Sequence, residues 1–374
     1  MQRRYAIAAA VAALVLAALL VFIYQPSLRF GASPPEPTPS ASATPATTPT
    51  PNPEHEVYVA NMGDHSILGF AIDPGAHPNA QVAAAPTRVI RGPSTGLHNP
   101  FDVVTDSAER IYVANLGDPP GTDSNVTVYS ATASGDVQPI RVLDIHTGPF
   151  AGPLKVTSVA IRPRPEGVLV AAQIQPPSPG GGGFLEFSAT VGQDTPIAII
   201  ADPTTPLGSP AGVGLDQSQR IHVVDSVTPR IIIYPAGTVT GDVDLVPESV
   251  IEGSATGLNN PIDAALGPSG NIYVVNRGSL NPSVRDASIT VYAAGAGSAA
   301  PGAGRNVQPI RVIGSLDPNV NLVDPVGIAI DGADSIFLLQ GRSLKVFNAG
   351  VTDDPMRRQV ITEPINNPGG LWVR

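Results

Sequence analysis

Two aspartates occupy the same place in two nearly identical segments of this sequence. Asp102 lies in NPFDVVTDSAERIYVAN, residues 99–115, and Asp263 lies in NPIDAALGPSGNIYVVN, residues 260–276. If a repeated fold brings the segments together, the two carboxylates share a site, and hard cations such as Ca²⁺ prefer oxygen ligands of this kind. Asp102 and Asp263 are therefore candidate metal ligands and ligand-binding residues. Asn115 and Asn276, at the ends of the two segments, could add further oxygens.

The same residues also have a structural interpretation. An Asp that follows an X-Pro dipeptide commonly accepts hydrogen bonds from nearby backbone N–H groups and organises a turn. Asn side chains at strand ends do likewise. The sequence leaves the metal site and the structural role open as alternatives.

Common catalytic signatures are missing from the chain. It has no cysteine, which excludes disulfides, a thiolate nucleophile and Cys-ligated metal. Neither G-x-S-x-G nor H-E-x-x-H occurs. His65, His98 and His146 fall in predicted loops of one face, and three histidines can hold zinc, but their spacing matches no known metal motif. The sequence leaves open whether the protein is an enzyme and favours a non-catalytic role.

The composition limits the possible partners. The formal net charge is −10, and charged residues make up only 14% of the chain. Because nucleic-acid binding needs a basic surface, this balance excludes a nucleic-acid partner. The 38 glycines and 41 prolines indicate frequent turns.

The N-terminal segment differs in composition from the rest. Residues 5–24, YAIAAAVAALVLAALLVFIY, are uncharged and long enough for a transmembrane helix. Residues 1–4 carry Arg3 and Arg4 and are predicted to stay cytoplasmic. Residues 25–54 are rich in Pro, Ser and Thr and are predicted to form a disordered, polyproline-like stalk. The sequence thus predicts a signal anchor with the body exported, periplasmic or extracellular, or a secreted body if the segment is cleaved.

Residues 55–374 contain a repeated pattern of alternating apolar segments. One segment recurs six times, as EVYVAN, RIYVAN, VLVAAQ, RIHVVD, NIYVVN and SIFLLQ. Each copy has one similar segment before it and two after it, with the exception that the first copy lacks its leading segment. Four strands per unit at this period are typical of a β-propeller blade. The sequence therefore predicts an all-β, six-bladed propeller of four-stranded blades.

The two ends of the body predict how the ring closes. The first unit lacks a leading strand, and the chain ends on PGGLWVR, residues 368–374, a leading strand with no unit after it. The C-terminal strand should complete the first blade and remove free sheet edges. Blades 2 and 5, which contain Asp102 and Asp263, then lie opposite each other.

At YVAN and YVVN, preceded by turns such as DSAER and GPSG, the chain resembles NHL-repeat and YVTN-type six-bladed β-propellers over the whole body. The resemblance implies the fold. Related propellers include binding modules, lactonases of the gluconolactonase family and lyases, so it does not settle the activity. The gluconolactonase family binds its metal through an early Glu with Asn and Asp at the channel mouth. This chain has the Asp and Asn candidates and no matching early Glu.

The longest predicted loops collect on one face, which we call the loop face; it is formed by the loops between second and third strands and by the loops between blades. Binding usually resides on such loops. The leading hypothesis is a scaffold that binds a protein partner through this face. The alternative is a metal-dependent lactonase- or lyase-like enzyme with its site at the mouth of the central channel, and a small-molecule binder without catalysis is a third possibility.

Overall fold

The computed structural model describes part of the chain: residues 56–72, 80–81, 85–119, 123–145, 154–163, 166–174, 181–190, 192, 194–201, 207–237, 241–279, 286–297, 306–314, 322–347, 357–361 and 364–374. The predicted transmembrane helix and stalk lie outside these residues, as does His146. Within the described ranges, no helix is both long and apolar enough to cross a membrane.

Six antiparallel four-stranded sheets form the body, and each runs from an inner strand through second and third strands to an outer strand. Blade 1 contains Pro368–Val373, Glu56–Asn61, Ser66–Ala71 and Arg88–Ile90; blade 2 contains Pro100–Thr105, Ile111–Asn115, Asn125–Tyr129 and Arg141–Asp144; blade 3 contains Leu154–Pro163, Glu166–Ile174, Gly181–Ser188 and Ala198–Ala201. Blade 4 contains Pro210–Leu215, Ile221–Asp225, Arg230–Tyr234 and Ser249–Glu252; blade 5 contains Pro261–Leu266, Ile272–Asn276, Ser288–Tyr292 and Arg311–Ile313; blade 6 contains Pro325–Ile330, Ile336–Gln340, Ser343–Phe347 and Arg357–Ile361. A short 3-10 helix covers Met62–Asp64. The predicted six-bladed propeller of four-stranded blades is confirmed.

The C-terminal strand closes the ring as the sequence predicts. Pro368–Val373 pairs antiparallel with Glu56–Asn61, with Trp372 opposite Tyr58. The Trp372 indole also donates a hydrogen bond to Thr105 Oγ1 of blade 2 at 2.9 Å. Each inner strand contacts the inner strands of the two neighbouring blades, so the six form an unbroken circle around the axis.

The hydrophobic core is divided among the six interfaces between blades. Each of six buried apolar clusters draws its residues mainly from two adjacent blades. Alternate residues of a second strand enter opposite clusters: Val57 and Val59 pack towards blade 6, and Tyr58 and Ala60 towards blade 2. Because both faces of these strands are buried, their sequences are apolar at nearly every position.

Each inner strand carries a β-bulge close to its first residue. In blade 2, for example, Pro100 pairs with Asn115 and Asp102 with Ala114, which leaves Phe101 as the extra residue. A bulge bends a strand and redirects its side chains. Here it positions the residue that follows the bulge, for example Asp102, between the neighbouring inner strands.

Segments from neighbouring blades cover part of the outer edges. Gly241–Asp244 pairs in parallel with the outer strand of blade 3, and Ala80–Gln81 pairs in parallel with the outer strand of blade 6. Gly135 forms a bridge to Ile90 on the outer strand of blade 1. Each covering segment comes from the loop that precedes the outer strand of the following blade. Covered edges cannot recruit strands from other molecules.

The close approach of the inner strands predicts that Gly369→Ala destabilises the ring at its closure. A Cβ at Gly369 would lie 2.7 Å from Phe101 Cα on the adjacent blade, inside the contact distance of backbone atoms. Overpacking of this kind costs about 1–3 kcal/mol of unfolding free energy or more. Urea denaturation of the full-length chain measures the loss.

Gly332→Ala is the matched control, because a Cβ there would meet nothing within 4 Å. We expect its stability to equal that of the wild type or exceed it slightly. Equal stabilities of the two variants would contradict the tight closure.

Candidate functional site

Six residues at equivalent places of the inner strands surround the propeller axis: the third residue of the strand in five blades, and the fifth residue of the longer strand in blade 3. In ring order from blade 1 they are Gly370, Asp102, Ser158, Gly212, Asp263 and Gly327. Three of the six have no side chain, one has a hydroxyl, and the two carboxyls stand in opposite blades. The centre of the ring therefore combines a narrow, small-residue lining with two acidic groups.

The Asp102 carboxylate joins blade 2 to blade 3. Its Oδ1 accepts a hydrogen bond from the N–H of Val103, the next residue in the chain, at 2.8 Å. Its Oδ2 accepts bonds from the Ser158 hydroxyl at 2.8 Å and from the Val159 N–H at 3.0 Å, both on the next inner strand. On the other side, a Cβ at Gly370 would lie 2.6 Å from Oδ1, so only glycine fits there.

Asp263 repeats this geometry between blades 5 and 6. Its Oδ1 accepts the Ala264 N–H at 2.8 Å, and its Oδ2 accepts the Ile328 N–H of blade 6 at 2.9 Å. Gly212 of blade 4 packs against it, since a Cβ there would lie 2.9 Å from Oδ1. Both carboxylates thus bond backbone N–H groups, as the structural interpretation of the sequence predicts. The bonds across blades were not foreseen.

The two carboxyls are half-buried and electrostatically coupled. Burial raises the pKa of Asp102 to about 6, although three hydrogen bonds to the carboxylate oppose the rise. Burial and the negative charge of Asp102 together raise the pKa of Asp263 to about 8. Among the described residues, no lysine or arginine contributes to the shift of either group. The pair is therefore not neutralised by a side-chain cation in the described part of the chain.

Asn115 and Asn276 hold loops inside their own blades. The Asn115 Oδ1 accepts the His98 N–H at 3.2 Å, and its Nδ2 donates to Thr127 Oγ1 at 3.0 Å. The Asn276 Oδ1 accepts the Asn259 N–H at 3.0 Å. Both side chains are fully buried. Their oxygens fasten the loop that enters the inner strand, and a ligand would have to displace these bonds.

Of the three histidines considered for zinc, His65 and His98 are described and His146 is not. His65 Nδ1 accepts the Asn99 N–H at 2.9 Å, and so links the second-to-third-strand loop of blade 1 to the loop that enters blade 2. Within the described ranges, no group of three or more His, Cys, Asp or Glu side chains is placed to hold a metal ion. The Asp102–Asp263 pair alone offers two carboxylates, so a cation that takes six to eight oxygens would need others from water or a partner.

Sequence reasoning missed the roles of two residues beside the pair. Ser158 donates to Asp102 and also accepts the Val213 N–H of blade 4 at 3.2 Å, which extends the chain of bonds across a third blade. Lys155 lies on the same strand as Ser158, with its Nζ 5.9 Å from the centroid of the Phe101 ring. A repeat-based search finds residues that recur, and neither of these recurs at its position.

The raised pKa values predict that Asp263→Asn changes the pH dependence of stability. An aspartate in the unfolded chain has a pKa of about 3.9, so between about pH 4 and pH 8 the folded protein binds the extra proton. The wild type must therefore lose unfolding free energy through this group as pH rises across that window. The asparagine of the variant cannot ionise, so the stability of the variant relative to the wild type should rise from about pH 5 to about pH 8.5.

Urea midpoints of both proteins at several pH values measure the difference, and all other titrating groups are common to the two. Asparagine is a suitable mimic of the protonated acid because it retains one oxygen acceptor. A stability difference that does not change with pH would contradict the raised pKa of Asp263.

Comparisons with known proteins do not assign a family. No protein-family model matches the sequence, and no curated protein matches it. Similar solved structures include a protein from Lactobacillus plantarum (10% identity, TM-score 0.49, covering 83% of this chain and 82% of its own). A streptogramin B lyase structure has 12% identity and a TM-score of 0.48, and the match covers 85% of this chain and 83% of the lyase. The virginiamycin B lyase of Staphylococcus aureus has 12% identity and a TM-score of 0.38, and the match covers 67% of each chain. At such values these likenesses carry no argument about activity, and NHL-repeat and YVTN-type propellers remain a resemblance.

Proposed function

We propose that the protein is a binding propeller, anchored by residues 5–24 and exported, that receives a cationic group of a protein partner at the Asp102–Asp263 pair. The observation that carries this proposal is the pair itself: two half-buried, coupled carboxyls with no neutralising side chain among the described residues. A cation placed between them would lower both pKa values and favour both charged forms.

The other blades indicate that the charges exceed what the fold needs. Gly212, Gly327 and Gly370 occupy the same place with no side chain at all. Ser158 receives the backbone N–H of the next blade with a neutral hydroxyl. Keeping both half-buried carboxyls ionised is unfavourable, as their raised pKa values indicate. The two aspartates are therefore better explained by a ligand than by ring closure.

The loop face is suited to receive a partner because side chains at the ends of the second strands hold its described loops in place by hydrogen bonds. Asn61, Asn115 and Asn276 each accept a backbone N–H of the loop that enters their own blade. Asp225 does the same for Gly208 and Ser209 in blade 4. A surface that is ordered before binding loses less conformational entropy when a partner arrives.

A metal-dependent enzyme of the lactonase or lyase kind is the second candidate. It is favoured by the free acceptor capacity of the pair, since each oxygen of Asp263 accepts a single described hydrogen bond and an ionised carboxylate offers about four acceptor positions. A divalent cation such as Ca²⁺ would be held by Asp102 and Asp263 and would act there as a Lewis acid.

Thermal melts of the full-length chain separate the two candidates. We expect an oligolysine peptide to raise the melting temperature, and an oligoglutamate of equal length to leave it unchanged. A ligand at about a hundred times its Kd adds about 2.7 kcal/mol to the unfolding free energy. A shift caused by Ca²⁺, Mg²⁺ or Zn²⁺ and reversed by EDTA would favour the metal-dependent enzyme instead.

The double variant Asp102→Asn, Asp263→Asn should show no rise in melting temperature with oligolysine or with a divalent cation. Glu248→Gln is the matched control, because it makes the same carboxylate-to-amide change at an exposed position on the perimeter. No shift with any of these cations, or a shift that survives in the double variant, would refute a cation site at the pair.

A further inference from the structure

Lys155 lies in an extension of the inner strand of blade 3 towards the loop face. This strand, Leu154–Pro163, has 10 residues, whereas the inner strand of blade 2, for example, has 6. Lys155 pairs with Gln173 near the end of the second strand, at the level where the other inner strands begin. The extra length positions an amine at the mouth of the channel, three residues before Ser158 of the ring.

The amine of this partly buried lysine lies beside an aromatic ring, and none of the acidic side chains that the structure describes pairs with it. Its Nζ lies 5.9 Å from the Phe101 ring centroid, and Phe101 directly precedes Asp102. Among the described residues, no hydrogen bond or ion pair reaches the Lys155 amine. Burial accordingly lowers the pKa of Lys155, because desolvation disfavours the ammonium form.

The acidic groups on the strands packed against Lys155 form hydrogen bonds or ion pairs with other residues. Asp102 bonds to Ser158 and Val159. Glu166 pairs with Arg110 at 3.5 Å, and Glu186 pairs with Arg162 at 2.8 Å. The inner strand of blade 4, PAGVGL, has no titratable residue. The adjoining sequences 146–153 and 175–180 contain no Asp or Glu.

Lysine is rare in this chain, so its presence at position 155 is unusual. The chain has 21 basic residues, and only Lys155 and Lys345 are lysines, so the other 19 are arginines. A guanidinium stays protonated in proteins, whereas a desolvated lysine readily becomes a neutral amine. A position that needed only a positive charge could be occupied by arginine, as at Arg162 and Arg230.

We propose that Lys155 is an amine nucleophile that captures an aldehyde ligand at the channel mouth as an imine. The neutral amine nitrogen attacks the carbonyl carbon, and the resulting carbinolamine loses water. The carbonyl oxygen leaves with both amine hydrogens, so no oxidant or reductant is required. The Phe101 ring offers apolar surface to the remainder of the aldehyde. This reaction does not depend on a cation at the Asp102–Asp263 pair.

Competitive reductive labelling tests the proposal on the full-length wild type. The protein and free Nα-acetyl-lysine are mixed at neutral pH with a small amount of salicylaldehyde and cyanoborohydride, and adducts are mapped by mass spectrometry. We expect Lys155 to react faster than the free amino acid, since a pKa lowered by burial leaves more of its amine neutral at the same pH. A rate equal to or below that of acetyl-lysine would overturn the proposal.

Lys345 is the internal control, because it is buried and has an interaction partner. It should react more slowly than Lys155 in the same molecule, and equal labelling of both lysines would refute a special reactivity. Lys155→Arg should lose the mapped adduct while Lys345→Arg retains it. The wild-type map decides the question even if a variant folds poorly.

Discussion

The whole molecule depends on the close approach of six inner strands around one axis. The ring residues of these strands have little room: a Cβ added at Gly370 would collide with the Asp102 carboxylate of the next blade. The circle is completed by pairing between residues at opposite ends of the body, Glu56–Asn61 with Pro368–Val373. All six interblade clusters of the core lie between blades that this circle holds together.

The two aspartates of the ring help to hold the inner strands close together, but they differ from the other ring residues because they can carry charge. Their oxygens accept N–H groups of the following blade, so they help to fix the spacing that excludes other side chains. The same confinement removes water from them and raises their pKa values. In the other blades neutral residues occupy the equivalent ring positions. The negative charge of Asp102 and Asp263 is therefore available to the proposed cationic ligand.

Much of the architecture could be predicted from the sequence because it repeats. Alternation of apolar residues identified the strands, and the unmatched segment at each end of the body identified the closure. Asp102 and Asp263 could be paired in advance because they share a register in blades 2 and 5. The sequence also indicated that Asn115 and Asn276 accept backbone N–H groups. Their partners, the N–H groups of His98 and Asn259, could not be predicted, because they depend on loop conformations that have no periodic signal. Gly241–Asp244 was missed because it pairs with a strand of another blade. Lys155 was missed because its position beside Phe101, with no described acidic partner, becomes visible only in three dimensions.

The central claim is that the ring holds a coupled pair of carboxyls with raised pKa values. Carbon-13 NMR of side-chain carboxyls in aspartate-labelled protein tests it most directly, with Asp102→Asn and Asp263→Asn for assignment. The account predicts two titrations well above the ordinary aspartate range, near pH 6 and pH 8, and a lower pKa for Asp263 when Asp102 is replaced. If both groups titrated near the ordinary aspartate value of about 4, the pair would be neither desolvated nor coupled, and the account would be wrong.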